Sequence, residues 1–200
     1  MASIYQLKPR FQALLRPLAA WLVRCGVTAN GLTVAALLLS AAAGGAVLLQ
    51  PTRHWPLLLL PPVLLVRMAL NALDGMLARE HQQASRRGAL LNELGDVLAD
   101  TALYLPLGAV PGLPPLLVAF TVLLGVIGEM TGVVAIQIGA SRRYDGPLGK
   151  SDRAFAFGLL ALLLGVGIPA GSWCWLTLLL LSLLAGATIV TRSRAALAAS

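Results

Sequence analysis

Charged residues are scarce in this chain. They make up 12% of its 200 residues, against roughly 25% in a typical soluble domain. Aromatic residues are also few, at 6%, whereas hydrophobic residues reach 58% and the mean hydropathy is +0.83. This composition excludes an ordinary water-soluble domain and indicates a membrane protein. There are only two cysteines, Cys25 and Cys174, and they lack the spacing of a zinc motif or a disulfide framework.

Long apolar runs recur along the whole chain. Five are long enough to cross a hydrocarbon core of roughly 30 Å. A sixth is counted as a span although its first half carries acidic residues. Because backbone groups in lipid have no water to bond, we expect all six to be helices. The predicted spans are 31–49, 55–73, 88–111, 113–138, 154–170 and 173–191. The predicted fold class is all-α, a polytopic membrane protein with six transmembrane helices.

The amino-terminal segment predicts a different kind of helix. Its leucines and Phe11 recur at helical spacing, while its basic residues lie off that stripe. This pattern is typical of an amphipathic helix at the membrane interface, bent or broken at Pro17. We therefore divide the chain into an interfacial helix, 1–25, and a six-helix transmembrane domain, 26–195.

Basic residues predict the orientation. With six spans, thirteen of the fifteen Lys and Arg residues fall on one side of the membrane, Arg53 lies alone on the other side, and Arg67 lies within a span. Positive-inside bias then places both termini in the cytoplasm. The net charge of +7 is thus mostly a topology signal, and we expect no nucleic-acid partner.

Acidic residues are concentrated in one short stretch. Asp74, Glu93, Asp96 and Asp100 lie within or beside apolar segments, where a lipid-facing carboxylate costs roughly 2.5–3.5 kcal/mol. Asn92, Asp96 and Asp100 are four residues apart and share a helix face, and Asn71 and Asp74 share another. Such oxygens suit a hard divalent cation. The alternative is that the acids form buried ion pairs with nearby arginines, namely Arg67, Arg79, Arg86 or Arg87.

These residues resemble the signature of the CDP-alcohol phosphatidyltransferases. The family pattern is D-x-x-D-G-x-x-A-R-x8-G-x-x-x-D-x-x-x-D. Here the chain has Asp74-Gly75-x-x-Ala78-Arg79, then eight residues, then Gly88-x-x-x-Asn92-x-x-x-Asp96. The segment GVTANGLT (26–33) is similar to the family's V-T-P-N-x-L-T. Lys150 matches a lysine found before the fifth span in many members.

The resemblance implies an enzyme of phospholipid synthesis that transfers a phosphatidyl group from a CDP-linked lipid to an alcohol acceptor and releases CMP. It implies Mg²⁺ or Mn²⁺ as cofactor, membrane lipids as surroundings and an active site facing the cytoplasm; a homodimer stays open. The implied metal ligands are Asn71, Asp74, Asn92, Glu93, Asp96 and Asp100. The implied substrate-binding residues are Gly75, Ala78, Arg79, Gly88 and Lys150. The implied base is Asp96 or Asp100.

Two departures from the family pattern leave the register open. In the ungapped alignment Asn71 and Asn92 replace the first and third aspartates, and Asp96 is the fourth, the base. A shift of four residues aligns DVLAD (96–100) with the family's D-P-L-A-D and makes Asp100 the base. We favour the ungapped register because Gly88 also fits it. Glu93 or Asp100 would then restore the charge missing at Asn71.

Two other functions remain open from the sequence. One is a catalytically altered family member. The other is a cation or proton transporter, because acids inside spans also mark ion pathways. Glu129, in the fourth span, is either a further site residue or an interhelical contact. The basic residues of the loop 141–153 either bind a phosphorylated acceptor or only carry the topology signal; they are Arg142, Arg143, Lys150 and Arg153.

Overall fold

All regular structure described for this chain is helical. The computed structural model describes residues 7–199, and side chains from Phe11 onward. The helices in chain order are α1 (Leu7–Arg24), α2 (Ala29–Leu49), α3 (His54–Glu80), α4 (Arg86–Tyr104), α5 (Pro115–Val134), α6 (Lys150–Gly165) and α7 (Ser172–Leu197). Short 3₁₀ helices, Leu105–Ala109 and Ala135–Ile138, follow α4 and α5. The predicted all-α class is confirmed over this range.

Each of the six predicted spans corresponds to one helix, from α2 to α7. Within the described range, four segments are long and apolar enough to cross a membrane on their own: Ala29–Leu49, His54–Glu80, Pro115–Ile138 and Ser172–Leu197. The other two helices differ for physical reasons: α4 carries five charged side chains in its 19 residues, and α6 has only 16 residues. Hydropathy therefore supports a membrane protein with four clear spans.

The first helix has two apolar faces. Leu15 and Leu22 pack against a buried cluster that includes Ala19, Leu73 and Leu77. A separate set of large apolar side chains is exposed: Leu14, Leu18 and Trp21. The helix continues through Pro17, so the break considered at that residue is absent. Residues 1–6 of the predicted interfacial segment 1–25 lie outside the described residues.

The chain divides into two compact units. The first contains Val63–Ala99 and the described residues up to Ala41, and the second contains Ala42–Pro62 and the described residues from Asp100 onward. In the second unit α5 packs along α7, where the hydroxyls of Thr121 and Ser182 lie 2.8 Å apart. Tyr104 and Phe157 stack there with ring centroids 4.3 Å apart.

In the first unit the segment GVTANGLT is joined to the turn between α3 and α4. Thr28 caps α2, since its hydroxyl accepts a hydrogen bond from the Gly31 amide at 3.1 Å. The Ala29 amide donates to the side-chain oxygen of Gln83 at 2.7 Å. A Cβ on Gly88 would lie 2.7 Å from the side-chain oxygen of Asn30. These contacts fix the start of α2 against the start of α4.

Candidate functional site

Asp74 lies on α3 with 5% of its surface exposed. The hydroxyl of Thr33, on α2, donates to Asp74 Oδ2 at 2.9 Å. A Cβ on Gly95, in α4, would lie 3.2 Å from the methyl of Thr33. Three helices of the first unit therefore meet around this hydroxyl, which holds one carboxylate oxygen in place.

Asn71 and Asp96 are in direct contact. Asn71 donates from Nδ2 to Asp96 Oδ1 at 3.1 Å. Arg67 donates from Nη2 to the backbone oxygen of Asp96 at 3.0 Å, and the same nitrogen lies 3.9 Å from Asp96 Oδ1. Because Asn71 and Asp74 are three residues apart on α3, one face of that helix presents both side chains. Two carboxylates and an amide thus belong to a single arrangement in the first unit.

The other predicted motif residues occupy defined places in the first unit. Asn92 and Glu93 lie about one turn before Asp96 on α4 and are half-buried. The guanidinium of Arg79 folds back over Gly75, since a Cβ there would lie 2.9 Å from Arg79 Nη2. The hydroxyl of Ser85 accepts a hydrogen bond from the Gly88 amide at 3.0 Å. Ala78 is half-buried on α3, beside Arg79.

Asp100 has a different environment, in the second unit. It is buried, and its Oδ2 accepts a hydrogen bond from Arg153 Nη2 at 3.0 Å. The same nitrogen of Arg153 donates to Glu129 Oε1 at 2.9 Å. For Asp100 the ion-pair alternative is therefore what the structure contains, although its partner is on α6 rather than among the nearby arginines. Lys150 begins α6 and is half-buried.

Glu129 is the centre of a cluster of charged side chains, of which Arg153 and Arg192 are buried. Besides Arg153, it contacts Arg192 Nη1 through Oε1 at 3.4 Å and Arg142 Nη2 through Oε2 at 3.4 Å. Arg192 also donates to the backbone oxygens of Gly128 and Asp145 at 2.6 and 3.1 Å. Glu129 thus makes interhelical contacts, as one of its two interpretations predicted, and its role as a further site residue stays a prediction.

Hydrogen bonds within the loop before α6 hold it at Asp145 and at the start of α6. Arg143 donates to the two oxygens of Asp145 at 2.8 and 3.1 Å, and these hydrogen bonds hold the pKa of Asp145 below its usual value. At the start of α6, Asp152 accepts a hydrogen bond from the Gly149 amide at 2.8 Å. The four basic residues that the sequence groups in the loop 141–153 are therefore not alike. Arg153 is 4% exposed and bound inside the protein.

Comparison with known proteins decides the family. The model of the CDP-alcohol phosphatidyltransferase family matches residues 26–191. The chain belongs to the CDP-alcohol phosphatidyltransferase family. The transferase is also 46% identical over 197 residues to the inner membrane protein YnbA of Escherichia coli K12, covering 98% of this chain and 96% of that one.

Solved structures give the same fold. The phosphatidylinositol phosphate synthase PgsA1 of Mycobacterium tuberculosis, with CDP-DAG bound, superposes with a TM-score of 0.76 at 20% identity, covering 90% of this chain and 92% of that chain. The structure of PgsA1 in complex with manganese and citrate gives a TM-score of 0.76 at 21% identity, with 90% and 88% covered. At these identities the likeness establishes the fold of the transferase.

Family membership confirms several predictions. The transferase is an integral membrane enzyme of phospholipid synthesis that transfers a phosphatidyl group from a CDP-alcohol. The family depends on a divalent metal, which supports the predicted cofactor class. The roles of the individual site residues stay predictions.

The donor set of the first unit is compatible with Mg²⁺ or Mn²⁺. Among residues 7–199 no three His, Cys, Asp or Glu side chains form a group that would hold a metal by themselves. Asp74 and Asp96 supply carboxylates, and Asn71 supplies an amide oxygen. Mg²⁺ is usually held by one or two carboxylates together with substrate phosphates and water. In such a site the phosphate oxygens of the substrate supply the remaining metal ligands.

One residue at the site was not predicted from the sequence. Thr33 contacts Asp74 across 41 positions of the chain, a pairing that only the packing of α2 on α3 creates. Arg67 was considered as an ion-pair partner of the acids, and its Nη2 lies 3.9 Å from Asp96 Oδ1, as that alternative predicts. Its spacing of four and seven residues from Asn71 and Asp74 puts all three on one helix face, a signal that was available in the sequence.

Proposed function

We propose that this transferase moves a phosphatidyl group from CDP-diacylglycerol to an alcohol, with Mg²⁺ or Mn²⁺ held at Asn71, Asp74 and Asp96. The observation that supports this most is the contact between Asn71 and Asp96 beside the buried Asp74. The relative PgsA1 binds CDP-DAG in one structure and manganese in another. The family motif has an aspartate at each of these three positions, so Asn71 is the one departure among them.

Asp96 is the base of the proposed reaction. Its Oδ1 is positioned by Asn71 and its backbone by Arg67. Asp100, by contrast, binds Arg153 through Oδ2, so that oxygen is already occupied by a cation. This difference favours the ungapped register, in which Asp96 is the last aspartate of the motif. Asn92 and Glu93 complete the set of oxygen donors on α4.

The residues of the site then have the following proposed roles. A divalent cation held by Asn71, Asp74 and Asp96 would supply charge neutralisation at the pyrophosphate and at the leaving CMP. Asp96 takes the proton of the acceptor hydroxyl as its oxygen bonds to the phosphorus on the lipid side. The bond from that phosphorus to the bridging oxygen breaks, and the bridging oxygen leaves on CMP. Arg79, Gly75, Ala78, Gly88 and Lys150 form the proposed surroundings of the nucleotide and its phosphates.

The proposed topology has six spans, α2 to α7, with α1 at the cytoplasmic interface. Asp74 lies near the carboxyl end of α3, six residues before Glu80, where that helix leaves the apolar core. The basic turn after Glu80 marks this end as cytoplasmic. Both termini and the site therefore face the cytoplasm in this proposal.

The deciding experiment is CMP release. Purified protein in detergent is incubated with CDP-diacylglycerol, Mn²⁺ and a panel of alcohols, and both CMP and the lipid product are measured. We expect CMP and a new phospholipid in equal amounts with at least one alcohol. Cation or proton movement into sealed vesicles without any CMP release would instead favour the transporter alternative.

A further inference from the structure

We propose that Gln83, in the turn between α3 and α4, is a positioning residue of the transfer reaction. It acts on Asp74 through the first turn of α2 and the hydroxyl of Thr33. The family pattern leaves the eight positions between Arg79 and Gly88 unspecified, so the motif itself gives Gln83 no role. The inference rests on the proposed function, in which Asp74 holds the metal.

The side chain of Gln83 binds the backbone at the start of α2. Its Oε1 accepts a hydrogen bond from the Ala29 amide at 2.7 Å, and its Nε2 donates to the Val27 oxygen at 3.5 Å. Ala29 is the first residue of α2, and the amides of a first helical turn have no acceptor within their own helix. Gln83 therefore supplies the missing acceptor from 54 positions away, and it fixes the start of α2 against the turn between α3 and α4.

The backbone of Gln83 is itself held by α3. Gln82, just before it, has a φ of 57°, the left-handed conformation in which helices commonly end. The Gln83 amide then donates to the Leu77 oxygen at 3.4 Å. The turn thus presents the Gln83 side chain from a backbone that is joined to the helix carrying Asp74.

The first turn of α2 brings Thr33 to Asp74. Thr33 is four residues after Ala29, so both lie on one face of α2. The Thr33 hydroxyl lies 3.2 Å from the Ala29 oxygen and 2.9 Å from Asp74 Oδ2. A hydroxyl has one proton to donate, so these two acceptors compete for it. Thr33 and Asp74 are each 5% exposed. A change in this turn therefore alters directly the hydrogen bond that Asp74 receives.

The first turns of α2 also lie close against α4. A Cβ on Gly88 would lie 2.7 Å from the side-chain oxygen of Asn30, and a Cβ on Gly95 would lie 3.2 Å from the methyl of Thr33. Hydrogen bonds weaken steeply as distance and angle depart from their preferred values. A small displacement of α2 along this surface is therefore enough to weaken the bond from Thr33, and the Gln83 side chain opposes such a displacement.

The test is a double-mutant cycle on Gln83 and Thr33. Full-length Gln83→Met, Thr33→Val and the double variant are assayed for CMP release from CDP-diacylglycerol with Mn²⁺ and an accepted alcohol. Gln83→Met keeps the length of the side chain and loses both hydrogen bonds, so kcat/KM should fall by about fivefold or more. In the Thr33→Val background the same substitution should cost about twofold or less, because the hydroxyl that acts on Asp74 is already absent. An equal loss in both backgrounds, or no loss in either, would overturn the inference.

Two further variants separate positioning from a general loss of stability. Gln83→Glu keeps an acceptor for the Ala29 amide and should retain about a third or more of the wild-type kcat/KM. Gln50→Met is the matched control, because Gln50 Oε1 accepts a hydrogen bond from Trp55 Nε1 at 2.9 Å in another loop. Its kcat/KM should stay within about twofold of its parent in both backgrounds. A loss in Gln83→Glu as large as in Gln83→Met would contradict the proposed role. If Gln83→Met is not recovered folded, Gln83→Asn, which is one methylene shorter, takes its place in the cycle.

Binding of Mn²⁺ gives a readout that does not depend on turnover. A cation that binds the folded protein raises its melting temperature, so the Mn²⁺ concentration at half of the maximal rise reports the site at Asp74. This concentration should increase by about threefold or more in Gln83→Met and in Thr33→Val, and it should stay unchanged in Gln50→Met. A lower melting temperature in Gln83→Met with an unchanged Mn²⁺ response would show that Gln83 only stabilises the fold, and would overturn the inference. Absence of CMP release by the wild type with every alcohol counts against the proposed function, whereas the Mn²⁺ response still decides whether Gln83 acts on the site at Asp74.

Discussion

Asn71 donates a hydrogen bond to Asp96 across 3.1 Å, and so joins the two halves of the motif, α3 and α4. At the position of Asn71 the family pattern has an aspartate. A carboxylate there would face Asp96 as a like charge, whereas the amide contacts it favourably without any cation. The asparagine therefore makes this contact favourable without a cation, and in the proposed metal site it would be a neutral ligand in place of a charged one.

This relationship predicts the behaviour of Asn71→Asp. In chelator the variant should be less stable than the wild type, because two carboxylates then lie together. Addition of Mn²⁺ should raise its melting temperature more than that of the wild type, because the extra carboxylate binds the cation. Thermal unfolding in detergent with and without Mn²⁺ measures both effects. A variant equally stable in chelator and unresponsive to Mn²⁺ would place the metal elsewhere.

Thr33 should matter through Asp74. Thr33→Val removes the hydroxyl that donates to Asp74 Oδ2 and keeps the shape of the side chain. The loss of one such bond is about 1–2 kcal/mol, so we expect kcat/KM to fall roughly five- to thirtyfold. Thr33→Ser, which keeps the hydroxyl, should retain most activity. Equal activity in both variants would mean that this hydrogen bond does not position Asp74.

Substitution of Asp96 and of Asp100, both on α4, separates the registers. With Asp96 as base, Asp96→Asn should lower kcat by about 10²–10⁴-fold. Asp100→Asn should instead lower protein stability and reduce activity only in part, since it leaves Arg153 with Glu129 alone. The measurement is kcat at saturating Mn²⁺ together with the melting temperature. A dead Asp100→Asn variant beside an active Asp96→Asn variant would support the shifted register.

The sequence predicted the helices well because they follow directly from local properties. Each predicted span overlaps one helix, four of these segments are long and apolar enough to cross a membrane, and the spacing placed Asn71 and Asp74 on one face. Pro17 did not mark a break in α1. A proline removes one backbone hydrogen bond of the helix, and α1 continues through this residue.

The charge pairing was not predictable in the same way. Arg153 looked like a loop charge next to Arg142 and Arg143, yet it binds Asp100 and Glu129, which are 53 and 24 positions away. Such pairs depend on how helices pack, and neither the spacing nor the hydropathy of one segment contains that information. The glycines of the segment GVIGEMTG (125–132) were the feature of the sequence that indicated close packing of bulky side chains against α5.

Helix packing in the second unit gives a prediction for stability. A Cβ on Gly44 would overlap the backbone carbonyl of Ala102, whereas the neighbouring Gly45 has open space. Gly44→Ala should therefore cost about 1–3 kcal/mol and lower the melting temperature. Gly45→Ala is the matched control and should leave it unchanged or slightly higher. If both variants melt alike, α2 and α4 do not approach each other as closely as described.

The most direct test of the metal-dependent transfer is CMP release from CDP-diacylglycerol by wild type and Asp74→Asn, with an accepted alcohol, in chelator and then with Mn²⁺ restored. We predict that the wild type is inactive in chelator and recovers with Mn²⁺. Asp74→Asn should stay at least 100-fold less active at any Mn²⁺ concentration while remaining folded in detergent. Full wild-type activity in excess chelator, or an active Asp74→Asn variant, would contradict the account.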